Sequence, residues 1–483
     1  MNADMKFSKI TTALLSSCIA LSIVITPVAS AADNAQTSSE SDMIQEVMDY
    51  LETYNLSGAD KSTLVRAAID GMVNSLDDPY SQYFDTDESA EFLHQVDLEY
   101  VGIGIKLQYT GTELYIEEVM SGSPAEEAGL KRGDTLVRIN GIAIEDTEGD
   151  ELSGKAGTQV KLLVLRNGVT KSFSVTRKDI TSASVTGTII GPKVAFVTIS
   201  GFSASSAEEF TEVLEKMRAA GMKSMVLDLR DNVGGYMDAA YDIASQFIDN
   251  GIMMYTADQS EVLTPVVITN GSKINVPVVV LTNEYTASAS EALTGALRDH
   301  KLATIVGTRS FGKARIQSLL PMSNGGTLKL TTQKYLTPNK EDFNHIGLSP
   351  DIEVQGKTAQ LITALKIAGM TSIEASGDNH ILNINGTPFA GNVGLVKRGT
   401  AIYASSRVLA SLIDSEVNWD SKNKKVLITN GAGKSTGFAL SSKEALSLSD
   451  ETFIRVDSFK KKFPAVAWSY NASQNQLKLS VKK

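Results

Sequence analysis

The sequence predicts a multidomain α/β protein, and three changes of hydrophobic pattern along its 483 residues carry that reading. Between residues 194 and 352, short apolar runs alternate with stretches whose apolar residues fall at helical spacing. Buried strands separated by helices favour a mixed, largely parallel sheet covered on both faces. Residues 98 to 178 instead carry short β-type runs broken by turns, and from about residue 378 the chain becomes lysine-rich and hairpin-like. A chain of this length divides into about two to four domains, each large enough to bury a core.

Composition narrows the function classes. Hydrophobic content of 42% and charged content of 21% are ordinary for a globular protein. A formal net charge of −11 argues against nucleic acid as a partner, which calls for basic patches. Lys6 and Lys9, the largely apolar stretch 10–27 and the small-residue site Ala29-Ser30-Ala31 have the layout of a signal peptide over residues 1–31. Export from the cytoplasm is therefore expected. The alternatives are a retained membrane anchor, or a lipoprotein box at Leu15-Ser16-Ser17-Cys18, against which the apolar residues after Cys18 speak. Cys18 is the only cysteine, so cleavage leaves no disulfide, thiolate or cysteine-bound zinc chemistry. The four histidines, His94, His300, His345 and His380, show no metal-ligand spacing, so no metal and no cofactor are expected.

The elements follow in order. Residues 32–42 are polar and serine-rich, a flexible leader to an N-terminal helical region over 32–97. Apolar residues at helical spacing predict helices over 43–55 and 61–76, ended by Asp77-Asp78-Pro79. They either pack onto the body or form a dimerisation arm. The β-type runs of the next region, 98–180, lie at 100–107, 114–119, 135–139, 160–165 and 171–175, with a short helix at SPAEEAGLKRGD and a tight turn at Asn140-Gly141. The segment GSPAEEAGLKRGDTLVRING, from Gly122 to Gly141, resembles the signature of PDZ domains in bacterial proteases. Val101, Gly102, Ile103 and Gly104 are similar to the loop that holds a peptide carboxylate with backbone N–H groups while the peptide adds a strand to the sheet edge.

In region 181–375, strands are expected at 194–199, 224–229 and 278–281, and helices at 207–219, 237–248 and 288–297. Pro277 opens the third strand, where it costs no interior ladder bond. Ser288 falls where a strand gives way to a helix, so its hydroxyl can face a crevice at the strand ends. Helix N-terminal N–H groups there favour a developing oxyanion. Upstream, the buried run ends at Gly234-Gly235, a turn able to aim a further N–H at the same point. Lys313 follows Ser288 by 25 residues, with Gln317 four further on. A serine hydroxyl needs a base, and a lysine desolvated among apolar neighbours can serve as one.

Singly, each feature has a plain reading as N-cap, turn or solvated strand residue. Together they resemble the C-terminal processing peptidases, or tail-specific proteases. The matching motifs are TASASEA (Thr286 to Ala292), DLRDNVGG (Asp228 to Gly235), FGKARIQ (Phe311 to Gln317), GMVNSLDDPYSQY (Gly71 to Tyr83), and LKLTTQKYLTPN with GLSPD. The resemblance, over roughly residues 40–355, implies a protease core of the ClpP/crotonase-like type and a Ser-Lys dyad of Ser288 and Lys313 assisted by Gln317. Its alignment places the nucleophile at Ser288 rather than Ser290. With it comes an oxyanion hole of backbone N–H groups from Ala289 and from Gly234 or Gly235. Glu291 then falls in the first helical turn as a carboxylate favoured by the dipole. Two departures stand out: Ala314 replaces a glycine after the lysine, and Lys340-Glu341-Asp342-Phe343 replaces a Gly-Arg-Ser-Ile stretch.

The tail, 376–483, contains two weakly similar hairpins around Trp419 and Trp468. It resembles the amine-oxidase N-terminal-like module appended to surface proteins of Gram-positive bacteria, which implies a cell-wall or surface partner and a Gram-positive type of host. The paired tryptophans read as small-core anchors, with a glycan platform as the alternative. The expected function is an exported serine endopeptidase, homodimeric, that reads apolar C-terminal tails of protein substrates with its PDZ domain. Arg166, on the last strand before the core, is a candidate contact between the PDZ domain and the protease. The competing readings are a Ser-His-Asp hydrolase using His300 and a non-catalytic peptide-binding scaffold.

Overall fold

A computed structural model of the chain describes residues 39–109, 113–147, 151–448 and 450–482. The expected signal segment at 1–31, with Cys18, lies outside these residues. The chain forms two compact units, Met1–Gly71 and Met72–Lys483.

In the first unit the helix Glu40–Tyr54 begins in a capping box. The Ser39 N–H donates to Asp42 Oδ2 at 2.9 Å and the Asp42 N–H to Ser39 Oγ at 3.2 Å. Met43, Val47, Tyr50, Leu51 and Tyr54 recur at helical spacing, yet all are exposed and the helix buries no side chain.

The second unit is built on a six-stranded sheet. Val185–Ile190 pairs antiparallel with Val194–Ile199, and Ser224–Asp228, Val278–Thr282, Ala303–Gly307 and Ile352–Glu353 continue it in parallel. Alternate residues of each strand point to opposite faces. Val197, Leu227, Val280 and Ile305 face a core made with the helices Ser206–Ala219, Met237–Ala244 and Ala289–Asp299. Phe196, Val226, Leu281 and Val306 face the other way. There the cover differs from the expected helical layer. The helix Lys357–Ile367 takes part of it, and the tail module joins the same core, with Leu382, Phe389, Leu409, Phe459 and Leu479 among its buried residues. Phe196 and Phe389 meet edge to face, their ring centroids 4.9 Å apart. The tail is thus part of the central sheet's packing rather than a separate bead.

That module holds sheets of five, four and three strands, and its first strand, Ser372–Gly377, pairs with its last, Gln476–Lys482, closing it on itself. Trp468 packs against the shared core, whereas Trp419 stays 45% exposed.

The PDZ region is an antiparallel sheet, ordered Ile105–Tyr109, Leu114–Val119, Thr135–Ile139, Gln159–Arg166, Val169–Thr176. Its short helix Pro124–Ala128 follows from local chemistry: Ser123 caps it through Oγ, proline opens it, and Gly129 ends it at φ +84°. A second sheet is centred on Thr327–Leu336. This strand pairs with Gln82–Phe84, Arg315–Pro321 and Gly251–Ala257.

Candidate active site

Two loops at the C-terminal ends of parallel strands build the site. The loop after Ser224–Asp228 and the loop after Val278–Thr282 are laced together by buried hydrogen bonds. Thr286 Oγ1 donates to the Leu229 carbonyl at 2.8 Å, and the Ala287 N–H donates to the Asn232 carbonyl at 3.0 Å. Asn232, fully buried, donates through Nδ2 to the Ile199 carbonyl at 2.7 Å and accepts the Gly234 N–H on Oδ1 at 2.9 Å. The lacing holds Ser288 at φ +56° and ψ −118° immediately before the helix Ala289–Asp299. A non-glycine residue there stores about 1–3 kcal/mol of strain, sustained only because the surroundings over-determine it.

The neighbouring serines divide clearly. Ser290 is wholly buried and its Oγ donates to the Asn232 carbonyl at 3.0 Å. Ser288 retains 8% exposure, and its side chain sits over the first helical turn in a capping box with Glu291.

The Gly-Gly turn lies against this serine. A Cβ built on Gly234 would sit 2.9 Å from Ser288 Cβ and 3.1 Å from the Ala289 nitrogen, so only glycine lets the two backbones approach this closely. Of the two expected oxyanion donors in the turn, the Gly234 N–H is already committed to Asn232. Among the described residues the N–H groups of Gly235 and Ala289 have no backbone acceptor, which leaves them as the available pair.

Lys313 precedes the strand Arg315–Pro321 rather than lying within it. Its backbone N–H and that of Ser288 reach the same atom, Glu291 Oε2, each at 2.9 Å. Burial pushes the Lys313 ammonium below the usual lysine range, the nearby charge of Lys329 pushes it the same way, and Asp78 and Glu291 oppose. Its Nζ sits 4.8 Å from the centroid of the Tyr80 ring. Among the described residues no hydrogen bond joins Lys313 Nζ to Ser288 Oγ. Gln317 donates through Nε2 to Thr331 Oγ1 at 3.1 Å and makes no hydrogen bond to Lys313.

The two departures from the motif pattern fit locally. Ala314 is completely buried and its N–H donates to Asn344 Oδ1 at 3.2 Å. Phe343 is buried edge to face against Tyr335, whose hydroxyl lies 2.8 Å from both the Ser288 and the Lys313 carbonyls.

Two other expected residues fall elsewhere. His300 is the C-cap of the Ala289–Asp299 helix, about 16 Å from its start at 1.5 Å per residue, and its Nε2 lies 2.8 Å from the Ile252 carbonyl. It cannot serve Ser288. Arg166 is turned into the PDZ domain, where Nε and an Nη donate to Asp134 at 2.5 and 2.6 Å and the same Nη to the Gly129 carbonyl at 2.9 Å. Polar contact with the core comes instead from Lys357. Its Nζ lies 2.9 Å from Asp231, in the loop that carries Gly234-Gly235, and 3.4 Å from Gln108 of the PDZ domain. In the PDZ loop, Gly104 has φ +78° and a Cβ there would lie 2.3 Å from Ser123 Cβ. The Ile103 carbonyl accepts the Ala125 N–H at 2.9 Å, and among the described residues the N–H groups of Ile103 and Gly104 have no backbone acceptor. A cleft of 620 Å³ between the PDZ domain and the tail module, lined by Glu117, Lys357 and His380, contains none of these catalytic candidates.

Sequence reading gave no role to Tyr80, Asn232, Lys329 or Tyr335. All four lie inside motifs already conspicuous, but nothing local says which way their side chains point.

Known families match the chain between residues 22 and 354. The profile of peptidase family S41 matches residues 193–354, that of the PDZ domain residues 115–166, and that of the activating protease CtpB N-terminal domain residues 22–88. The "Probable CtpA-like serine protease" of Staphylococcus aureus is 30% identical over 400 residues, covering 81% of this chain and 79% of that protein. Its counterpart in Staphylococcus haemolyticus is 34% identical over 323 residues, 65% of this chain and 64% of that one. Among solved structures, the photosystem II D1 C-terminal processing protease is similar at 28% identity and a TM-score of 0.44, over 64% of this chain and 86% of that one.

Proposed function

Because the chain belongs to the C-terminal processing peptidases of peptidase family S41 and is a serine peptidase with a PDZ domain, we propose that it is an exported endopeptidase that captures protein substrates by their C-terminal tails and cleaves them with Ser288 and Lys313. The observation that carries this reading is the placement of Ser288, strained at a helix start against Gly234-Gly235 and tied through its backbone and Glu291 to Lys313. The family assignment removes the non-catalytic scaffold as an alternative.

In this mechanism neutral Lys313 Nζ takes the proton of Ser288 Oγ as the oxygen attacks the scissile carbonyl. The N–H groups of Gly235 and Ala289 hold the oxyanion of the tetrahedral intermediate. The Lys313 ammonium returns its proton to the departing amine, and a water activated by the same lysine hydrolyses the acyl-enzyme. Gln317, anchored through Nε2 on Thr331, keeps Oε1 to accept from the ammonium. Turnover of a protein substrate with an apolar tail by wild type, and its loss in Ser288→Ala, tests the reading.

The pH dependence follows from the lysine's surroundings. The base is the neutral form, so activity rises with pH through the Lys313 pKa, which burial and Lys329 both lower. Lys329→Met removes a repelling positive charge, and Lys313 then holds its proton to higher pH. The acid limb of kcat/KM is expected to move upward in that variant, read from a profile on a peptide substrate. An unmoved or downward-shifted limb would exclude Lys313 as the titrating base.

Tail recognition rests on the Ile103 and Gly104 N–H groups beside the strand Glu99–Gly102. Full-length Ser288→Ala protein is expected to bind an apolar peptide with a free C-terminal carboxylate at least about tenfold tighter than the same peptide amidated, since a charge-assisted hydrogen bond is worth roughly 1.5–3 kcal/mol. Equal affinities by calorimetry would sink the tail-reading role. Lys357, bridging Gln108 and Asp231, supports a route from the PDZ domain to the oxyanion loop in place of Arg166. The uncovered apolar stripe of Glu40–Tyr54 supports a homodimerisation arm, the module resemblance supports a cell-surface partner, and the basic and apolar residues of 1–31 support export.

A further inference from the structure

Glu291 is 0% exposed, yet it carries a carboxylate among the catalytic candidates. Four donors converge on it. Oε1 accepts Ser310 Oγ at 2.5 Å and the Gly312 N–H at 2.7 Å, while Oε2 accepts the N–H groups of Ser288 and Lys313, each at 2.9 Å. On the carbonyl side the Tyr335 hydroxyl lies 2.8 Å from both the Ser288 and the Lys313 oxygens and shares its single hydrogen between them. The peptide units that carry the nucleophile and the base are therefore joined twice through single atoms, once at their N–H ends and once at their carbonyls.

A helix-start glutamate needs only its own N-cap partner. This one also reaches 22 residues along the chain to a segment with no place in the helix. A carboxylate offers about four lone-pair sites, and here all of them are used. We propose that Glu291 is the positioning residue that sets the distance between Ser288 and Lys313, with Tyr335 closing the same span from the carbonyl side. The proposal rests on the Ser288–Lys313 reading of the site.

The clamp also explains how Ser288 keeps its positive φ. The Glu291–Ser288 bond fixes the amide on one side of the residue, and the Tyr335 bond fixes the carbonyl on the other. Neither bond uses the side-chain oxygen. Burial pushes the Glu291 carboxyl upward, and its hydrogen-bond donors work against that. The charged and titratable groups around the pair are Lys313, Lys329 and Asp78 on the lysine side, with Tyr80 and Tyr335 beside Glu291.

The test compares wild type with Glu291→Gln, Tyr335→Phe and Ser288→Ala for kcat, KM, the pH profile and thermal midpoint. Gln keeps the shape but replaces one accepting oxygen with an NH2 that faces donors. A loosened pair is expected to lose about 10²-fold in kcat with KM within a few-fold. The acid limb also moves to lower pH, because an anion that helps Lys313 hold its proton is gone. Tyr335→Phe removes one shared hydrogen bond and no charge, and is expected to lower kcat about tenfold without moving the limb. A merely structural role predicts a lowered midpoint with an unshifted limb and proportional loss of active protein, and that outcome overturns the proposal. So does wild-type kcat in either variant. If Glu291→Gln does not fold, Tyr335→Phe decides alone through its kcat-against-KM split. Full activity in Ser288→Ala would refute the Ser-Lys reading itself, a result distinct from any of these.

Discussion

Ser288→Ala and Lys313→Ala are each expected to lower kcat by about 10³-fold or more on a tailed protein substrate, and the double variant is expected to be no worse than the weaker single one. Members of a nucleophile–base pair act as a unit, so removing either removes the covalent route and leaves only binding and the oxyanion donors. The fold should tolerate both changes. Among the described residues Lys313 Nζ has no hydrogen-bond partner, and alanine occupies the φ of +56° at position 288 at a strain similar to that of serine. Thermal midpoints near wild type would therefore accompany the loss of turnover. Ser290→Ala is the contrasting control: it breaks the buried bond to the Asn232 carbonyl and should cost about 1–3 kcal/mol of stability while retaining cleavage. Turnover that survives in Ser288→Ala but vanishes in Ser290→Ala or His300→Ala would reassign the nucleophile or the base.

Much of this arrangement was legible because its signals are local. Apolar runs of strand length at 224–229 and 278–281 mark buried parallel strands, and both lie in the central sheet. Ser123, Pro124 and Gly129 specify their short helix through capping chemistry alone. What was not legible depends on contacts between distant segments. Phe196 and Phe389 are 193 residues apart in sequence, and no periodicity says that a β-rich tail rather than a further helix will cover that face of the sheet. Glu291 has the address of an ordinary N-terminal carboxylate. Only the return of the chain at Ser310 to Lys313 shows that it is a hub. Arg166 illustrates the converse. A charged residue near the end of the PDZ region is well placed in sequence for a domain contact. Yet Arg166 ends the strand Gln159–Arg166, and the buried carboxylate of Asp134, just before the neighbouring strand, offers a bidentate partner at shorter range. Gln317 likewise lies at the expected strand position, but a cross-strand threonine takes its amide.

Gly235→Ala is the substitution outside the Ser-Lys pair with the largest expected effect, because it acts on the oxyanion site through backbone that has no room to give. Gly235 has φ +141°, a region L residues rarely enter. A Cβ there would lie 2.2 Å from the Phe202 carbonyl oxygen and 2.8 Å from its carbon. Both are main-chain atoms, and both belong to the bridge that holds the turn: the Phe202 N–H donates to the Gly234 carbonyl at 2.9 Å and the Tyr236 N–H to the Phe202 carbonyl at 2.7 Å. Relief of the clash must break or lengthen that bridge, which swings the Gly235 N–H away from the Ala289 N–H. Losing one oxyanion donor costs about 10²–10³-fold in kcat. KM should change little, because the donor is aimed at the oxygen of the intermediate rather than at the ground-state carbonyl. Gly234→Ala is the instructive comparison. Its Cβ would press on Ser288 Cβ at 2.9 Å, so it should displace the nucleophile directly and impair formation of the acyl-enzyme and its hydrolysis alike. Burst kinetics on an activated ester, alongside steady-state peptide cleavage, separate donor loss from nucleophile displacement. A Gly235→Ala enzyme with wild-type kcat would place the oxyanion away from this turn.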